Sequence, residues 1–278
     1  MNTKNMILLL LEQNRGNPIS GEKIAESLGI SRNAVWKAIT ALKSEGYSIN
    51  AVSNRGYTLA IDNDILSVAG IIPYLTDKNS ANKIHIYKSL ESTNKTAKEL
   101  AIQGAEHGTI IIADTQTDGK GRYDKHFYSP PKSGLYMSIL LRSHFLNLTN
   151  AANITKMAAV AVCRAIEILA GSKPKIKPVN DIFLNSKKIC GILTEAISDL
   201  ESGNVDWAVV GFGINITTID FPLELRDIAT SIFADNSKAV DATFRSKLAA
   251  ELINFFLTPA NLSAKNIEIE YENRIIVN

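Results

Sequence analysis

With only two cysteines, Cys163 and Cys190, in 278 residues, the chain lacks the material for a disulfide scaffold. No Cys/His cluster surrounds either one, so a zinc site is not expected, and two buried thiols in a reducing compartment are. Long apolar runs are missing too. Met6 to Leu11 is apolar, but six residues between polar neighbours are too few for a signal sequence or a membrane span. A cytoplasmic protein without membrane attachment is therefore expected. Charge of one sign is also scarce: 30 Lys and Arg oppose 28 Asp and Glu, and a net +2 excludes a chain that coats nucleic acid along its whole length. The small excess is local. Residues 1–60 hold seven basic against four acidic side chains, and the remainder 23 against 24. No internal repeat or low-complexity tract is visible, and the ordinary composition leaves room for two or three domains with a substantial core.

What is present begins with two short helical patterns. In "SGEKIAESLGISRNAVWKAITALKSEGYSI", Ser20 caps a helix with Ile24, Ala25 and Leu28 on one face. Gly29 ends it, and Ser31 caps a second helix with the stripe Val35, Ala38, Ile39, Leu42. Two helices joined by a Leu-Gly-Ile-Ser turn have the form of a helix-turn-helix. Ser31, Arg32, Asn33, Trp36 and Lys37 lie at the start and on the outer face of the second helix, where they suit contact with phosphates and base edges. "YSINAVSNRGYTL" alternates like a hairpin with Arg55 at its tip, a wing of the kind that DNA binders carry. A small module for protein contact is the plainer alternative. Residues 1–62 are taken as the winged helix-turn-helix, 63–68 as a polar linker, and 69–259 as a second domain.

That second domain alternates strands and helices. "KIHIYKSL", "GTIIIAD", "GLYMSILLR" and "DWAVVGFGIN" read as strands, "STNKTAKELAIQG" and 150–170 as helices, and "DIFLNSKKICGILTEA" as a hairpin turning at Asn185-Ser186. "ATFRSKLAAELINFFL" reads as a final amphipathic helix. The fold class is α+β with a mixed sheet. Between two of the strands stands "TQTDGKGRYDKHFYSP", where Gly119 and Gly121 alternate with Lys120 and Arg122. Such a loop can hold phosphate, coat an acidic partner or be a solvated turn. It is not a P-loop, which needs Ser or Thr after Gly-Lys, and neither it nor "GFGINI" carries glycine at the sixth position of a dinucleotide fingerprint.

Several segments in order narrow the choice. "ESTN" (91–94), "QTDGKGRYDKHFYSP" (116–130), "KPVNDIFLNSKKICGILTE" (177–195) and "VGFGIN" (210–215), behind a winged helix, resemble the biotin protein ligases. The chain is most similar to the bifunctional class that joins biotin ligation to repression of biotin genes, over residues 1 to about 257. The resemblance implies a substrate pair of biotin and ATP with Mg²⁺, formation of biotinyl-5′-adenylate, and transfer of biotin to a lysine of a biotin carboxyl carrier domain. It also implies operator DNA as a partner and a homodimer when the adenylate is bound. Ser92, Thr93 and Asn94 match contacts to the ureido ring; Gln116, Lys120, Gly121 and Arg122 match contacts to biotin and the adenylate. Lys177 matches the lysine beside the biotin carboxyl group, and with Arg122 it is expected to serve catalysis. Gly119, Lys125, Asn180, Asp181 and Asn215 are expected near the nucleotide.

Two departures from the family pattern stand out. Lys177-Pro178-Val179-Asn180-Asp181 stands where the family reads Lys-Trp-Pro-Asn-Asp, and Tyr123-Asp124 replaces further basic and glycine residues. Residues 260–278 are read as the start of a truncated C-terminal module, a small β-barrel in the family. A catalytically weak, biotin-sensing repressor is the alternative function.

Overall fold

The computed structural model describes residues 2–142, 151–198, 205–234, 240–258 and 264–276. Two compact units emerge: Met1–Tyr74 with Asp241–Ser246, and Leu75–Val240 with Lys247–Asn278. Asn150, the expected first residue of the long helix, lies outside the described residues, as do 260–263 and 277–278 of the expected C-terminal module.

The first unit opens with three helices, α1 (Thr3–Gln13), α2 (Gly21–Leu28) and α3 (Arg32–Ser44), followed by strands β1 (Ile49–Val52) and β2 (Gly56–Leu59). Each helix starts on a side-chain cap: Asn2 accepts from Asn5 N–H, Ser20 from Lys23 N–H and Ser31 from Ala34 N–H. Gly29 ends α2 in the left-handed region (φ +63°). Ile7, Leu11, Ile24, Ile39, Leu42 and Leu59 are buried together, each contributing roughly 1.5–3 kcal/mol of hydrophobic stabilisation. The wing is antiparallel from Ile49↔Leu59 to Val52↔Gly56. Gly56 is required there: at φ +107° an added Cβ would stand 2.1 Å from the Ile19 carbonyl oxygen. The expected linker is partly structured, because Ser67 caps the short helix α4 (Val68–Ile71), and the first unit extends to Tyr74.

The second unit is built on a seven-stranded sheet. Its strands are β3 (Ile84–Leu90), β4 (Ile110–Gln116), β5 (Gly134–Arg142), β6 (Lys175–Lys177), β7 (Asp181–Leu184), β8 (Lys187–Ser198) and β9 (Val205–Asn215), in the order β3-β4-β5-β9-β8-β7-β6. β3 and β4 are parallel and the other pairs antiparallel, so the sheet is mixed as expected. The helices are α5 (Thr93–Ile102), α6 (Ala151–Ala170), α7 (Phe244–Leu257), which starts within the first unit's Asp241–Ser246, and α8 (Ala264–Arg274). Residues 264–274 are thus helical where the sequence reading placed the start of a β module. Ile267 and Tyr271 are buried, and Arg274 pairs with Glu167 of α6 at 2.5 Å, so tertiary partners fix the helix. Cys163 and Cys190 are free and buried; burial pushes the Cys163 thiol up to about 12 and Cys190 well above its ordinary value. Both remain inert thiols.

Candidate active site

One cavity of about 440 Å³ opens in the second unit, over the strands β8 and β9. Its neutral polar wall is built at the start of α5. Ser92 caps this helix; Thr93 N–H donates to Gln116 Oε1 at 2.8 Å, and the Thr93 hydroxyl lies 3.2 Å from the same oxygen. Gln116 Nε2 in turn donates to Ser129 Oγ at 3.0 Å. Asn94 is held from both sides: Nδ2 donates to Glu195 Oε2 (2.8 Å) and Leu193 O (3.2 Å), while Oδ1 accepts from Ser138 (2.7 Å). Thr93, Asn94 and Gln116 thus form one hydrogen-bonded, neutral polar wall. This arrangement needs Gly211, where a Cβ would stand 2.1 Å from Asn94 Oδ1.

The glycine loop closes a second side. Gly121 N–H donates to Lys125 O and Phe127 N–H to Gly119 O, both at 2.7 Å, so these amides serve the loop rather than pointing at a ligand as such loops often do. Gly119 does not face the cavity; an added Cβ would meet Phe127 O at 2.7 Å and the Gln116 and Ser129 side chains at 2.9 Å. Lys120 pairs with Asp118 at 2.9 Å, and that hydrogen bond is the main reason the Asp118 carboxyl sits below its ordinary value. Arg122 reaches Asn180 Oδ1 at 3.4 Å and lies over the Tyr123 ring. Phe127 settles on the sheet, where a Cβ at Gly213 would touch its ring at 2.6 Å.

The third side comes from β6 to β8. Asn180 Nδ2 donates to Ile192 O at 2.8 Å, and Asn215 Nδ2 to Thr230 O at 3.1 Å, while the buried Asn215 Oδ1 has no hydrogen-bond partner among the described residues. Lys177 is exposed, with Nζ 5.3 Å from the Phe183 ring centroid. Lys188, which the sequence reading did not select, is drawn further in. Its Nζ pairs with Asp181 at 2.7 Å, and an added Cβ at Gly191 would lie 3.1 Å from it. A register shift between Ile182 and Phe183 of β7 lets Phe183 pair with Lys188 and Ile182 with Cys190, so Lys188 and Gly191 both line the cavity while Ile189 and Cys190 are buried. The extended segment after β9 covers this side: Lys188 N–H donates to Ile228 O, and Thr230 N–H to Lys188 O.

Of the expected ligand residues, Ser92, Thr93, Asn94, Gln116, Lys120, Gly121, Arg122, Lys125, Lys177, Asn180, Asp181 and Asn215 line this one cavity. Five cations, Lys120, Arg122, Lys125, Lys177 and Lys188, share it with a single described carboxylate, Asp181. Phe127, Tyr128 and Phe221 add apolar wall. Such a cavity accepts a ligand that carries both neutral polar and anionic groups. The expected DNA contacts belong to the first unit: Arg32, Asn33, Trp36 and Lys37 are exposed on α3, Trp36 by 57%, and Arg55 is exposed at the wing tip. The Ser31 hydroxyl is engaged as the cap of α3. No described helix is long and apolar enough to cross a membrane.

Comparison with known proteins agrees with both halves. Residues 3–58 match the HTH domain family, and residues 86–215 match the biotin/lipoate A/B protein ligase family. The bifunctional ligase/repressor BirA of Bacillus subtilis is 41% identical over 237 residues, which cover 84% of this chain and 72% of that protein. The protein of the same name from Escherichia coli is 28% identical over 215 residues, 77% and 64% of the two chains. Among solved structures, the biotin protein ligase of Aquifex aeolicus in complex with biotin and ATP aligns with a TM-score of 0.55 at 26% identity, covering 69% of this chain and 78% of that one. The Leishmania major biotin protein ligase with biotinyl-5-AMP shares the fold, with a TM-score of 0.54 at 21% identity over 69% and 81% of the two chains. With a winged helix in the first unit and a cation-rich cavity in the second, the chain belongs to the family of bifunctional ligase/repressor BirA proteins.

Proposed function

We propose that the chain is an ATP-dependent biotin protein ligase that also represses transcription in response to biotin. The observation that carries this reading is the lining of one cavity, where the neutral polar groups of Thr93 and Gln116 share the wall with five cations. A ureido ring needs neutral donors and acceptors, which the first group supplies. A carboxylate attacking the α-phosphorus of ATP needs cations, because two anions must meet and the leaving pyrophosphate gathers charge. In the first step a biotin carboxylate oxygen bonds to phosphorus as the bond to pyrophosphate breaks. In the second, the neutral amine of a carrier-domain lysine attacks the acyl carbon and AMP departs.

Lys188, fixed beside Asp181, is the cation best placed to hold both anions; Arg122, tied to Asn180, and the outer Lys177 support the phosphates. Mg²⁺ arrives with ATP as part of the substrate complex, and Asp181 is the carboxylate on this wall. The deciding measurement is biotin-dependent exchange of pyrophosphate into ATP. Biotin binding without exchange would assign the protein to sensing alone.

The repressor half rests on the exposed face of α3. One winged helix makes few phosphate contacts, so DNA binding calls for two copies on paired half-sites. Operator affinity and sedimentation mass should therefore rise together when biotin and ATP are added at fixed salt. Arg32→Ala or Lys37→Ala should weaken operator binding roughly ten-fold while leaving pyrophosphate exchange unchanged. Equal DNA affinity in both variants would move the contact off α3.

A further inference from the structure

The connection between β6 and β7 runs from Lys177 to Asp181; Asn180 is tied to Ile192 through its side chain (2.8 Å) and its carbonyl (3.0 Å), which leaves Pro178 and Val179 as the weakly braced part. β6 is three residues long and terminates the sheet, Pro178 has no N–H to donate, and Val179 is 38% exposed. The brace comes from the C-terminal helix. The Tyr271 hydroxyl donates to Val179 O at 3.2 Å, and one turn later Ile276 N–H donates to Ile176 O at 2.9 Å, where Ile275 bridges Ile176 in parallel. Tyr271 is itself 3% exposed, with Lys156 Nζ of α6 5.4 Å from its ring centroid. Charged clasps lock α8 to α6: Arg274 to Glu167 at 2.5 and 2.8 Å, Arg164 to Glu270, and Lys156 to Glu268 at 2.5 Å. Helix α6 thus anchors α8, and α8 holds the backbone of the segment beside Lys177.

We infer that Tyr271 is a positioning residue for the reaction, setting the place of Lys177 through the carbonyl of Val179. The inference rests on the ligase reading. Losing the hydroxyl leaves the ring packed and frees the connection to shift. Lys177, next to this stretch, moves with it, whereas Asn180 keeps its bonds to Ile192, and Thr93 and Gln116, on other elements, stay in place.

The test compares the full chain with Tyr271→Phe by three readouts. Amide hydrogen exchange across residues 175–184 should quicken about five-fold, the worth of one neutral hydrogen bond, with α6 unchanged. The kcat for pyrophosphate exchange should fall by about the same factor, with KM for biotin within about two-fold. Unchanged amide exchange at 175–184, or acceleration spread evenly over the unit, overturns the inference; so does a local change that leaves kcat untouched. If the unaltered protein performs no pyrophosphate exchange, the ligase reading fails, and the amide readout alone then decides whether Tyr271 holds the segment.

Discussion

Lys188→Ala is expected to lower biotin-dependent pyrophosphate exchange roughly 100- to 1,000-fold, the usual cost of removing one preorganised charge aimed at a developing anion. The ammonium group is fixed at 2.7 Å from Asp181, with its stem against Gly191, so no reorientation is needed when substrate arrives. Folding should barely notice. The Lys188–Asp181 pair is partly solvated, with 31% and 29% of the two side chains exposed, and such pairs contribute about 1 kcal/mol or less. Lys177→Ala is the comparison, because the sequence pattern favoured it. That side chain is exposed over Phe183, and its removal should cost only about ten-fold. Initial rates of labelled pyrophosphate incorporation for both variants decide the ranking, and the reverse order would return the role to Lys177.

Gly211→Ala should disable the neutral polar wall of the cavity. Gly211 pairs with Ser138 on one side and Leu193 on the other, so its backbone cannot retreat. The added methyl would overlap Asn94 Oδ1 at 2.1 Å and push the amide away from Ser138, Leu193 and Glu195. Overpacking and stranded buried polar groups together should cost roughly 3 kcal/mol of stability. Thr93, which shares the Ser138 hydroxyl, would shift with Asn94, and biotin affinity should weaken about 100-fold. Denaturant unfolding and biotin titration measure the two effects. A variant that melts and binds like the parent would show that the sheet yields at this point.

Much of this was legible in the residues, for identifiable reasons. Caps and glycine turns act locally, so Ser20, Ser31 and Gly29 delimited the helix pair, and Asn185-Ser186 marked the turn between β7 and β8. The four motifs converge on one cavity because they sit at the ends of neighbouring strands and in the loops between them. Helix α1 was not legible: Met6 to Leu11 is a continuous apolar run without the 3.6-residue period, and burial on several sides makes it a helix. Nor was α8, where Ile267-Glu268-Ile269-Glu270 alternates like a strand. Glu268 and Glu270 find Lys156 and Arg164 of α6, partners distant in sequence. Lys188 was missed because the resemblance placed the lysine beside the biotin carboxyl group at Lys177, and strict alternation backwards from Gly191 would also select residues 189 and 187 for the cavity face. The bulge opposite Ile182 and Phe183 breaks that parity, and no local residue announces it.

The same hairpin restricts how the chain can vary. Asn185 and Ser186, at φ 50° and 66°, join β7 to β8 in two residues and set which side chains stand opposite each other. Most surface loops tolerate a residue gained or lost. Here a single insertion or deletion would slide β8 by one place and turn Lys188 towards the opposite face of the sheet. Relatives that keep the chemistry should therefore differ at 185 and 186 in identity, with asparagine, aspartate and glycine interchangeable, and agree in number. Loop length at this turn is therefore expected to be constrained as tightly as the lysine it aims.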